Sequence, residues 1–257
     1  MEKEAKNVIC IKWGKCYGPE YVNRLYNMVV RNTTYHINFY CFTDNSDGLS
    51  ESVIVKPLPV MHVEELKYAY QKEAGLCDDE LGGLTGQRVL YFDLDVLIID
   101  NIDCLFEYPN DDGFYIINDW NTNGSTVGQA TCYSWVVGTL GYIKKYFEGH
   151  SEEIYKKFYT ASQEYLSSKV IEKYGKLNFW KDSWIKSFRF HCLPTPLIPF
   201  LRKIRMAKIP KGAKIIAFHG NPKMIDAKNG VWNEKNPIKK FFYKHLKPVK
   251  WVEKYWR

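Results

Sequence analysis

Two aspartates interrupt an apolar stretch of the chain, RVLYFDLDVLIID at residues 88–100. An ionised carboxylate is costly to bury, so Asp93 and Asp95 do not fit the middle of a strand that is buried on both faces. They fit the carboxyl end of a strand that stops near Phe92, because ligands bind at that edge of a parallel α/β sheet. Paired carboxylates at that edge predict a Mg²⁺ or Mn²⁺ site. A straight strand would hold the two side chains about 6.6 Å apart, too far for both to bind one ion directly, so we also predict a break at Asp93–Asp95.

A second polar motif, FHGNPK at residues 218–223, follows a late apolar run. His219 offers an imidazole, which suits Mn²⁺ better than Mg²⁺. Gly220 permits a close approach of the backbone to a ligand, and Lys223 adds a cation. A D-x-D pair or a single histidine is a weak signal by itself. Together, the two motifs predict a metal site with a diphosphate-binding cation.

The segments that carry these motifs alternate between strand and helix patterns. Residues 7–13, 36–45 and 52–59 have strand patterns, and residues 20–32 and 63–76 have helical apolar spacing. The first 110 or so residues therefore predict a mostly parallel sheet with helical crossovers. Further along, residues 113–119 predict a strand and residues 151–175 one long amphipathic helix. We expect one α/β domain over residues 1–257, with a nucleotide-binding half to about residue 110 and an acceptor half after it.

Composition narrows the class of protein. Hydrophobic residues make up 46% of the 257, as in a globular protein. The N-terminus has no apolar segment long enough for a signal peptide, and no apolar run reaches about 18 residues. The seven cysteines are widely spaced and form no C-x-x-C, which indicates reduced thiols. These features predict a cytoplasmic protein.

The charge of the chain is unevenly distributed. The net charge is +7, of which residues 201–257 contribute +13 and the other 200 residues −6. A basic end of this kind suggests an anionic partner. Its aromatic residues Trp251, Tyr255 and Trp256 could lie at a membrane interface, as for a peripheral enzyme with a lipid-linked acceptor. The competing interpretation is that they pack back against the protein.

Together, VLYFDLDVLI and FHGNPK make the sequence similar to the glycogenin-like (family 8) retaining glycosyltransferases and related small bacterial and viral transferases. The likeness extends over most of the chain, through WGKCYGPEYVNRLYNMVVRN, FYCFTDN, WIKSFRFHC and WVEKYWR. The resemblance implies an A-type glycosyltransferase domain with a Rossmann-like, mostly parallel central sheet flanked by helices. It also implies transfer of a hexosyl or pentosyl group from a nucleoside diphosphate sugar, above all a UDP-sugar. The acceptor would be a glycan or glycoconjugate, which could be lipid-linked or protein-linked, and the anomeric configuration would be retained.

The resemblance also assigns roles to individual residues. Asp93, Asp95 and His219 would bind Mn²⁺ (or Mg²⁺), and Lys223 would contact the donor diphosphate beside Gly220. Lys72 falls where members often have a basic residue near the donor. Tyr17 falls in the loop that usually holds the base, although it could equally be an ordinary packing tyrosine.

The sequence departs from the family pattern on the donor-sugar and acceptor sides. Members often have Asp-Gln at the start of an acceptor-side helix, where this chain has Ser162-Gln163-Glu164. We expect Gln163 or Glu164 at the reacting face of the sugar, with an exposed helix acid as the competing interpretation for Glu164. ATCYSWVVG stands where members often have Asn-Ser, and Met224 replaces a frequent proline. These departures bear on the identity of the sugar more than on the class of reaction.

Two other functions fit parts of the sequence. A haloacid-dehalogenase-like phosphatase using Asp93 and Asp95 also places D-x-D after an apolar strand. That family usually continues with Gly and Thr or Val, where this chain has Val96 and Leu97. A non-enzymatic protein could bind an anion or nucleic acid through the basic C-terminal segment, but no recognised nucleic-acid motif occurs and no nucleic acid is expected.

Overall fold

The computed structural model describes residues 4–121, 126–194, 202, 205–233, 236 and 244–257. The chain forms two compact units. The first comprises Met1–Asn23, Tyr35–Leu94 and Asp103–Trp180, and the second comprises Arg24–Thr34, Asp95–Ile102 and Lys181–Arg257. The chain thus crosses from the first unit to the second between Leu94 and Asp95. The expected division of a single domain into a nucleotide-binding half and an acceptor half stays a prediction.

Strands and helices alternate along the described residues. The strands are β1 Lys6–Lys12, β2 Ile37–Thr43, β3 Ile54–Lys56, β4 Arg88–Phe92, β5 Val96–Ile98, β6 Tyr115–Asn118, β7 Gly128–Val136, β8 Asn178–Phe179, β9 Ile185–Ser187 and β10 Ile215–Ala217. The α-helices are α1 Pro19–Arg31, α2 Tyr70–Glu73, α3 Asp103–Glu107, α4 Gly141–Phe158, α5 Ser162–Tyr174, α6 Met224–Asn229 and α7 Lys250–Tyr255. A 3₁₀ turn covers Gly75–Cys77 and a π-helix covers Phe188–Cys192. None of these helices is both long and apolar enough to cross a membrane.

The first unit is built on a seven-stranded sheet in the order β3-β2-β1-β4-β7-β6-β8. The four strands β3, β2, β1 and β4 run parallel to one another. β7 is antiparallel to both β4 and β6, and β8 is parallel to β6. This mostly parallel sheet confirms the predicted α/β fold.

The break that the sequence predicts after Phe92 is present. β4 ends at Phe92, Leu94 and Asp95 lie in a turn, and β5 begins at Val96. β4 belongs to the seven-stranded sheet, whereas β5 belongs to a three-stranded sheet in the second unit. Asp93 and Asp95 therefore lie in the connection between two strands of different sheets, and neither lies inside a strand.

The predicted helix over residues 63–76 is wrong for most of its length. Only Tyr70–Glu73 is α-helical, and the 3₁₀ turn follows it. The Tyr155 hydroxyl accepts a hydrogen bond from the Lys67 N–H and donates one to the Glu65 carbonyl, each at 3.0 Å. These backbone groups bond a side chain instead of the backbone partners four residues away that an α-helix would give them. Tyr68 also adopts a left-handed φ of 55°, which ends any regular helix.

The single helix predicted over residues 151–175 is also wrong, because two helices occur there. α4 ends at Phe158, Tyr159 takes a φ of 47°, and α5 begins at Ser162. The Tyr159 carbonyl accepts a hydrogen bond from the Tyr70 hydroxyl at 3.2 Å, which fixes the break against the core. Ser162 and Gln163 consequently begin a helix and do not lie in the middle of one.

The core of the first unit lies between the sheet and helices α2, α4 and α5 and is rich in aromatic residues. Tyr70 stacks on Phe147 with ring centroids 4.8 Å apart. Tyr91 of β4 packs on Tyr133 of β7 at 4.6 Å. Such rings bury large apolar areas and restrict one another's geometry. They give α2 and the end of β4 a rigid support.

The second unit contains a three-stranded sheet in the order β5-β10-β9. β10 is antiparallel to β5 and parallel to β9. Phe188 and Phe218 stack beside this sheet with ring centroids 4.5 Å apart. β10 is therefore held on both sides, by β5 and by β9, and the residue that follows it, Phe218, is held by its stack on Phe188.

The described part of the basic C-terminal segment packs within the second unit. The Trp251 indole N–H donates to the Ala207 carbonyl at 3.0 Å. Trp256 is buried under the Arg24 guanidinium, which lies 4.1 Å from the ring centroid. Tyr255 is half-buried. These contacts favour the packing interpretation for the two tryptophans, and residues 201, 203–204, 234–235 and 237–243 of the segment lie outside the described residues.

Candidate active site

Four side chains of the first unit form a hydrogen-bonded group, called here the Lys72 group: Lys72, Glu73, Tyr91 and Asp93. The Lys72 ammonium nitrogen lies 3.0 and 3.3 Å from the two carboxylate oxygens of Asp93. The same nitrogen lies 3.1 Å from Glu73 Oε1. The Tyr91 hydroxyl donates to Asp93 Oδ1 at 2.6 Å. One ammonium thus lies between two carboxylates at the end of β4.

Burial and neighbouring charges oppose each other in shifting the pKa values of Lys72 and Glu73, and act together on that of Tyr91. Burial would lower the pKa of Lys72, but the carboxylates of Asp93 and Glu73 outweigh it and raise the pKa above its ordinary value. Burial raises the pKa of Glu73, and Lys72 offsets only part of that rise. Burial, with the Asp93 charge, holds the pKa of Tyr91 well above its usual range. Tyr91 therefore keeps its proton and acts as a hydrogen-bond donor to Asp93.

Gln163 reaches the beginning of β7. Its Oε1 accepts a hydrogen bond from the Ala130 N–H at 3.4 Å. One turn later, the Ser167 hydroxyl accepts from the Gly128 N–H at 2.9 Å and donates to the Gln163 carbonyl at 2.7 Å. The first turns of α5 therefore satisfy backbone groups of β7 through side chains. Glu164 is exposed on the same helix.

Tyr17 lies in the loop between β1 and α1, as the sequence predicts. Its ring packs edge-on against Tyr21, with centroids 4.8 Å apart. In the same loop the Gly14 N–H donates to Asp44 Oδ2 at 2.9 Å, which ties it to the loop after β2. Both loops follow the carboxyl ends of parallel strands, where nucleotides bind in α/β sheets. The role of Tyr17 in base binding stays a prediction.

The second unit holds its own polar group, called here the Lys223 group: Asp95, Ser187, His219 and Lys223. The Lys223 ammonium lies 2.8 Å from Asp95 Oδ2. The Phe218 N–H donates to the Asp95 carbonyl at 2.9 Å, so the residue before His219 is bonded to Asp95. His219 Nε2 lies 2.7 Å from Ser187 Oγ. The late motif and the second aspartate of D-x-D are therefore brought together.

Local backbone structure positions the Lys223 group. β10 ends two residues before His219, and Gly220 turns the chain with a left-handed φ of 72°, which favours glycine. Lys223 precedes the first residue of α6, and its N–H donates to Asp226 Oδ2 at 3.2 Å. A side-chain acceptor three residues into a helix fixes the residue at its start. The turn between β10 and α6 is therefore fixed at both ends, and Lys223 is its last residue.

The donor types of the two groups fit a divalent metal, since carboxylate oxygen and imidazole nitrogen both bind Mn²⁺. Within the described ranges, however, no set of three or more His, Cys, Asp and Glu side chains is arranged to hold an ion. In both groups a lysine ammonium lies against the carboxylate that would bind the metal. Metal binding by Asp93, Asp95 and His219 stays a prediction, and it requires each carboxylate to exchange its lysine for the ion.

Sequence reasoning missed three members of these groups: Glu73, Tyr91 and Ser187. Glu73 had a usable signal, since it follows Lys72 directly and lies just before the apolar residues Ala74 and Leu76. Tyr91 could have been found from its position two residues before Asp93, because side chains two residues apart along an extended chain point to the same side. Ser187 had no such signal, because its contact with His219 joins residues 32 positions apart.

Comparison with solved structures identifies the fold. The chain is similar to the galactosyltransferase LgtC in complex with donor and acceptor sugar analogs, with 12% identity, a TM-score of 0.53, and coverage of 85% of this chain and 88% of that one. An active-site mutant of LgtC gives 12% identity, a TM-score of 0.54 and coverage of 85% and 89%. The apo structure of the bifunctional glycosyltransferase WbbM gives 12% identity and a TM-score of 0.59, covering 94% of this chain and 52% of that one.

These similarities show that the chain has the A-type glycosyltransferase fold, which confirms the fold inferred from the sequence. No protein-family model matches the sequence, and no curated protein matches it. At 12% identity, the similarity concerns the fold. The activity is therefore argued from the side chains.

Proposed function

We propose that this protein is a metal-dependent glycosyltransferase that moves a sugar from a nucleoside diphosphate sugar to a glycan acceptor. The preferred donor is a UDP-sugar. One observation carries the proposal. In an A-type fold, Asp93 and Asp95 follow the strand end where D-x-D is expected, and each faces a lysine ammonium. Because the two aspartates are separated only by Leu94, their proximity follows from the covalent chain.

The lysines supply the charge that the reaction needs. Cleavage of a nucleoside diphosphate sugar leaves negative charge on the departing diphosphate, and positioned cations stabilise such charge. Lys223 would turn from Asp95 to the phosphate oxygens, and Lys72 would contact them from its place beside Asp93. A bound Mn²⁺ or Mg²⁺ would add Lewis-acid stabilisation of the same charge, with Asp93, Asp95 and His219 as its ligands.

Other residues would bind and orient the substrates. Tyr17 would contact the base of the nucleotide, and Gly220 would let the backbone approach the diphosphate. Gln163 would lie at the reacting face of the sugar, with Glu164 as the weaker candidate because it is exposed. The structure of LgtC with donor and acceptor sugar analogs supports a sugar donor and a sugar acceptor for this chain as well. Retention of configuration follows from the family resemblance.

A thermal-shift screen tests the proposal directly. Unfolding midpoints are measured with UDP, GDP and their sugars, each with Mn²⁺ and with EDTA. We expect stabilisation by UDP in the presence of Mn²⁺, because a ligand that binds only the folded state raises the midpoint. No stabilisation by any nucleotide with metal would contradict the transferase function. Release of phosphate from simple phosphate esters would favour a phosphatase, and salt-sensitive retention on immobilised nucleic acid would favour the binding protein.

A further inference from the structure

We propose that Glu73 is a positioning residue that holds the Lys72 ammonium in place to receive the donor diphosphate. The inference rests on the proposed function, because it gives a role to a residue next to Lys72. Glu73 would touch neither donor nor acceptor and would act through Lys72 alone.

The environment of Glu73 is unusual for an acid. The residue is only 2% exposed. Its Oε1 is 3.1 Å from the Lys72 ammonium, and a hydrogen bond with the Ser162 side chain also favours its charged form. An apolar side chain of similar size would usually cost less in such a place. Lys72 is the cation beside this buried carboxylate, so holding the Lys72 ammonium is a reason for an acid here.

The geometry explains why Lys72 needs a second carboxylate. A lysine ammonium is a point charge on a flexible four-carbon stem, so its position depends on its partners. If Asp93 were to bind a metal ion, Lys72 would lose a partner and would have a second positive charge close by. Glu73 lies on the same short helix as Lys72 and is packed into the core. Its negative charge would keep the ammonium beside Asp93 and oriented toward the phosphate.

Positioning and simple charge make opposite predictions for nucleotide binding. If Glu73 only adds negative charge near an anion site, its neutralisation should strengthen UDP binding by removing a repulsion. If Glu73 positions Lys72, its neutralisation should weaken UDP binding, because the ammonium is no longer held where the phosphate arrives. The sign of the change in UDP affinity therefore decides between the two roles.

The test is a titration of UDP, at saturating Mn²⁺, into the wild-type protein, Glu73→Gln, Lys72→Met and the double variant. We expect Glu73→Gln to weaken UDP binding about tenfold, the scale on which a supporting hydrogen-bond partner acts. The double variant should bind UDP as weakly as Lys72→Met and no more weakly, since Glu73 acts through Lys72. UDP binding by Glu73→Gln that equals or exceeds the wild type would overturn the proposal, and so would additive losses in the double variant.

Glu148→Gln is the matched control. Glu148 also pairs with a lysine of the first unit, with its Oε1 3.0 Å from the Lys144 ammonium, and the same substitution there should leave UDP affinity unchanged. If Glu73→Gln does not fold, Glu73→Met replaces it in the same titrations, because methionine removes the charge without burying a polar group.

Failure of the proposed function would look different. In that case the wild-type protein itself binds no UDP with Mn²⁺. The contact is then tested without ligand, from the unfolding of the same four proteins in urea. Additive effects of Lys72→Met and Glu73→Gln on stability would overturn the anchoring of Lys72 by Glu73.

Discussion

The two lysine–aspartate pairs of this protein look alike but have different surroundings. Lys72 has a side chain that is 14% exposed, and it lies between Asp93 and Glu73. Lys223 has a side chain that is 32% exposed, and it lies against Asp95 from a turn between β10 and α6. The aspartates are ordered the other way, with Asp93 21% and Asp95 10% exposed. The first pair is set among the aromatic residues of a large core, and the second at the edge of a small sheet.

The two lysines differ in burial and in their number of carboxylate partners, so exchanging a carboxylate for a phosphate would cost each lysine a different amount of free energy. A buried ion pair depends on each partner for compensation of its charge, whereas an exposed pair is partly compensated by water. The more exposed Lys223 ammonium would lose less on leaving Asp95, although the buried Asp95 would then need another cation. Lys72 can leave Asp93 only if another anion holds it, which is the role inferred for Glu73. The comparison indicates a fixed cation in the first unit and an adjustable one in the second.

The largest expected effect is on turnover of the donor. Asp93→Asn and Asp95→Asn should each reduce Mn²⁺-dependent cleavage of the donor sugar by about 100-fold or more, because each would remove a charged ligand of the proposed metal that stabilises the departing diphosphate. Donor hydrolysis at saturating Mn²⁺ measures this. Asp100→Asn, an exposed aspartate of the same segment, is the control and should keep wild-type turnover. Wild-type turnover in Asp95→Asn would remove the second pair from the active site.

A second test compares the two lysines by stability. Lys72→Met leaves Asp93 and Glu73 without their shared cation, so it should lower the free energy of unfolding by about 3 kcal/mol. Lys223→Met should lower it by less than Lys72→Met does, because it removes the cation from one carboxylate, Asp95, whereas Lys72→Met removes it from two. Urea unfolding without metal or nucleotide measures both. Equal losses would show that the second carboxylate beside Lys72 does not distinguish the two pairs.

Much of this fold follows from local patterns in the sequence. The β-branched apolar runs give β1, β2 and β4, and the two aspartates place the end of β4 at Phe92. The errors at residues 63–76 and 151–175 have one physical cause. In each segment a tyrosine hydroxyl from elsewhere in the chain, Tyr155 or Tyr70, takes the backbone groups that a helix would have used. Apolar spacing cannot reveal such long-range hydrogen bonds.

The candidate site was predictable where it depends on residue type and spacing. Asp93, Asp95, His219 and Lys223 stand out in their apolar or glycine-containing surroundings. The bond between Lys223 and Asp95 spans 128 residues, and only the arrangement of β5 beside β10 brings the two together. The sequence predicted a cation for a diphosphate, but it gave no sign that the same cation lies on a D-x-D carboxylate.

A third test asks whether the contact between Ser187 and His219 in the second unit supports metal binding. The Ser187 hydroxyl bonds His219 Nε2, and such a contact fixes the orientation and tautomer of a metal-binding histidine. Ser187→Ala should therefore weaken Mn²⁺ binding about tenfold. Mn²⁺ titration monitored by electron paramagnetic resonance measures this. Ser168→Ala, which removes a hydroxyl bonded to the Tyr165 carbonyl, is the control. Unchanged Mn²⁺ affinity in Ser187→Ala would separate Ser187 from the metal site.

The smallest expected effect separates burial from pairing, using a lysine outside the site. Like Lys72, Lys144 has two carboxylate neighbours, with Asp78 Oδ2 at 3.3 Å and Glu148 Oε1 at 3.0 Å. Burial would raise the pKa of Glu148, but the His62 N–H and Lys144 outweigh it and lower the pKa. The pKa of the more deeply buried Glu73 is raised instead. The two glutamates should therefore give opposite pH dependence.

The signs follow from which state binds more protons. A lowered pKa means that ionised Glu148 stabilises the fold above the unfolded-state pKa, and this stability is lost as pH falls through the folded-state pKa. Glu148→Gln should thus lose about 1 kcal/mol relative to wild type near pH 7 and recover that difference in acid. A raised pKa means that ionisation of Glu73 reduces stability as pH rises above the ordinary glutamate range. Glu73→Gln should therefore gain stability relative to wild type over that rise. Urea unfolding of the three proteins between about pH 3 and pH 7 measures both differences. Differences of the same sign would mean that pairing with lysine, and not depth of burial, governs both acids, and the contrast between the fixed and the adjustable cation would lose its physical basis.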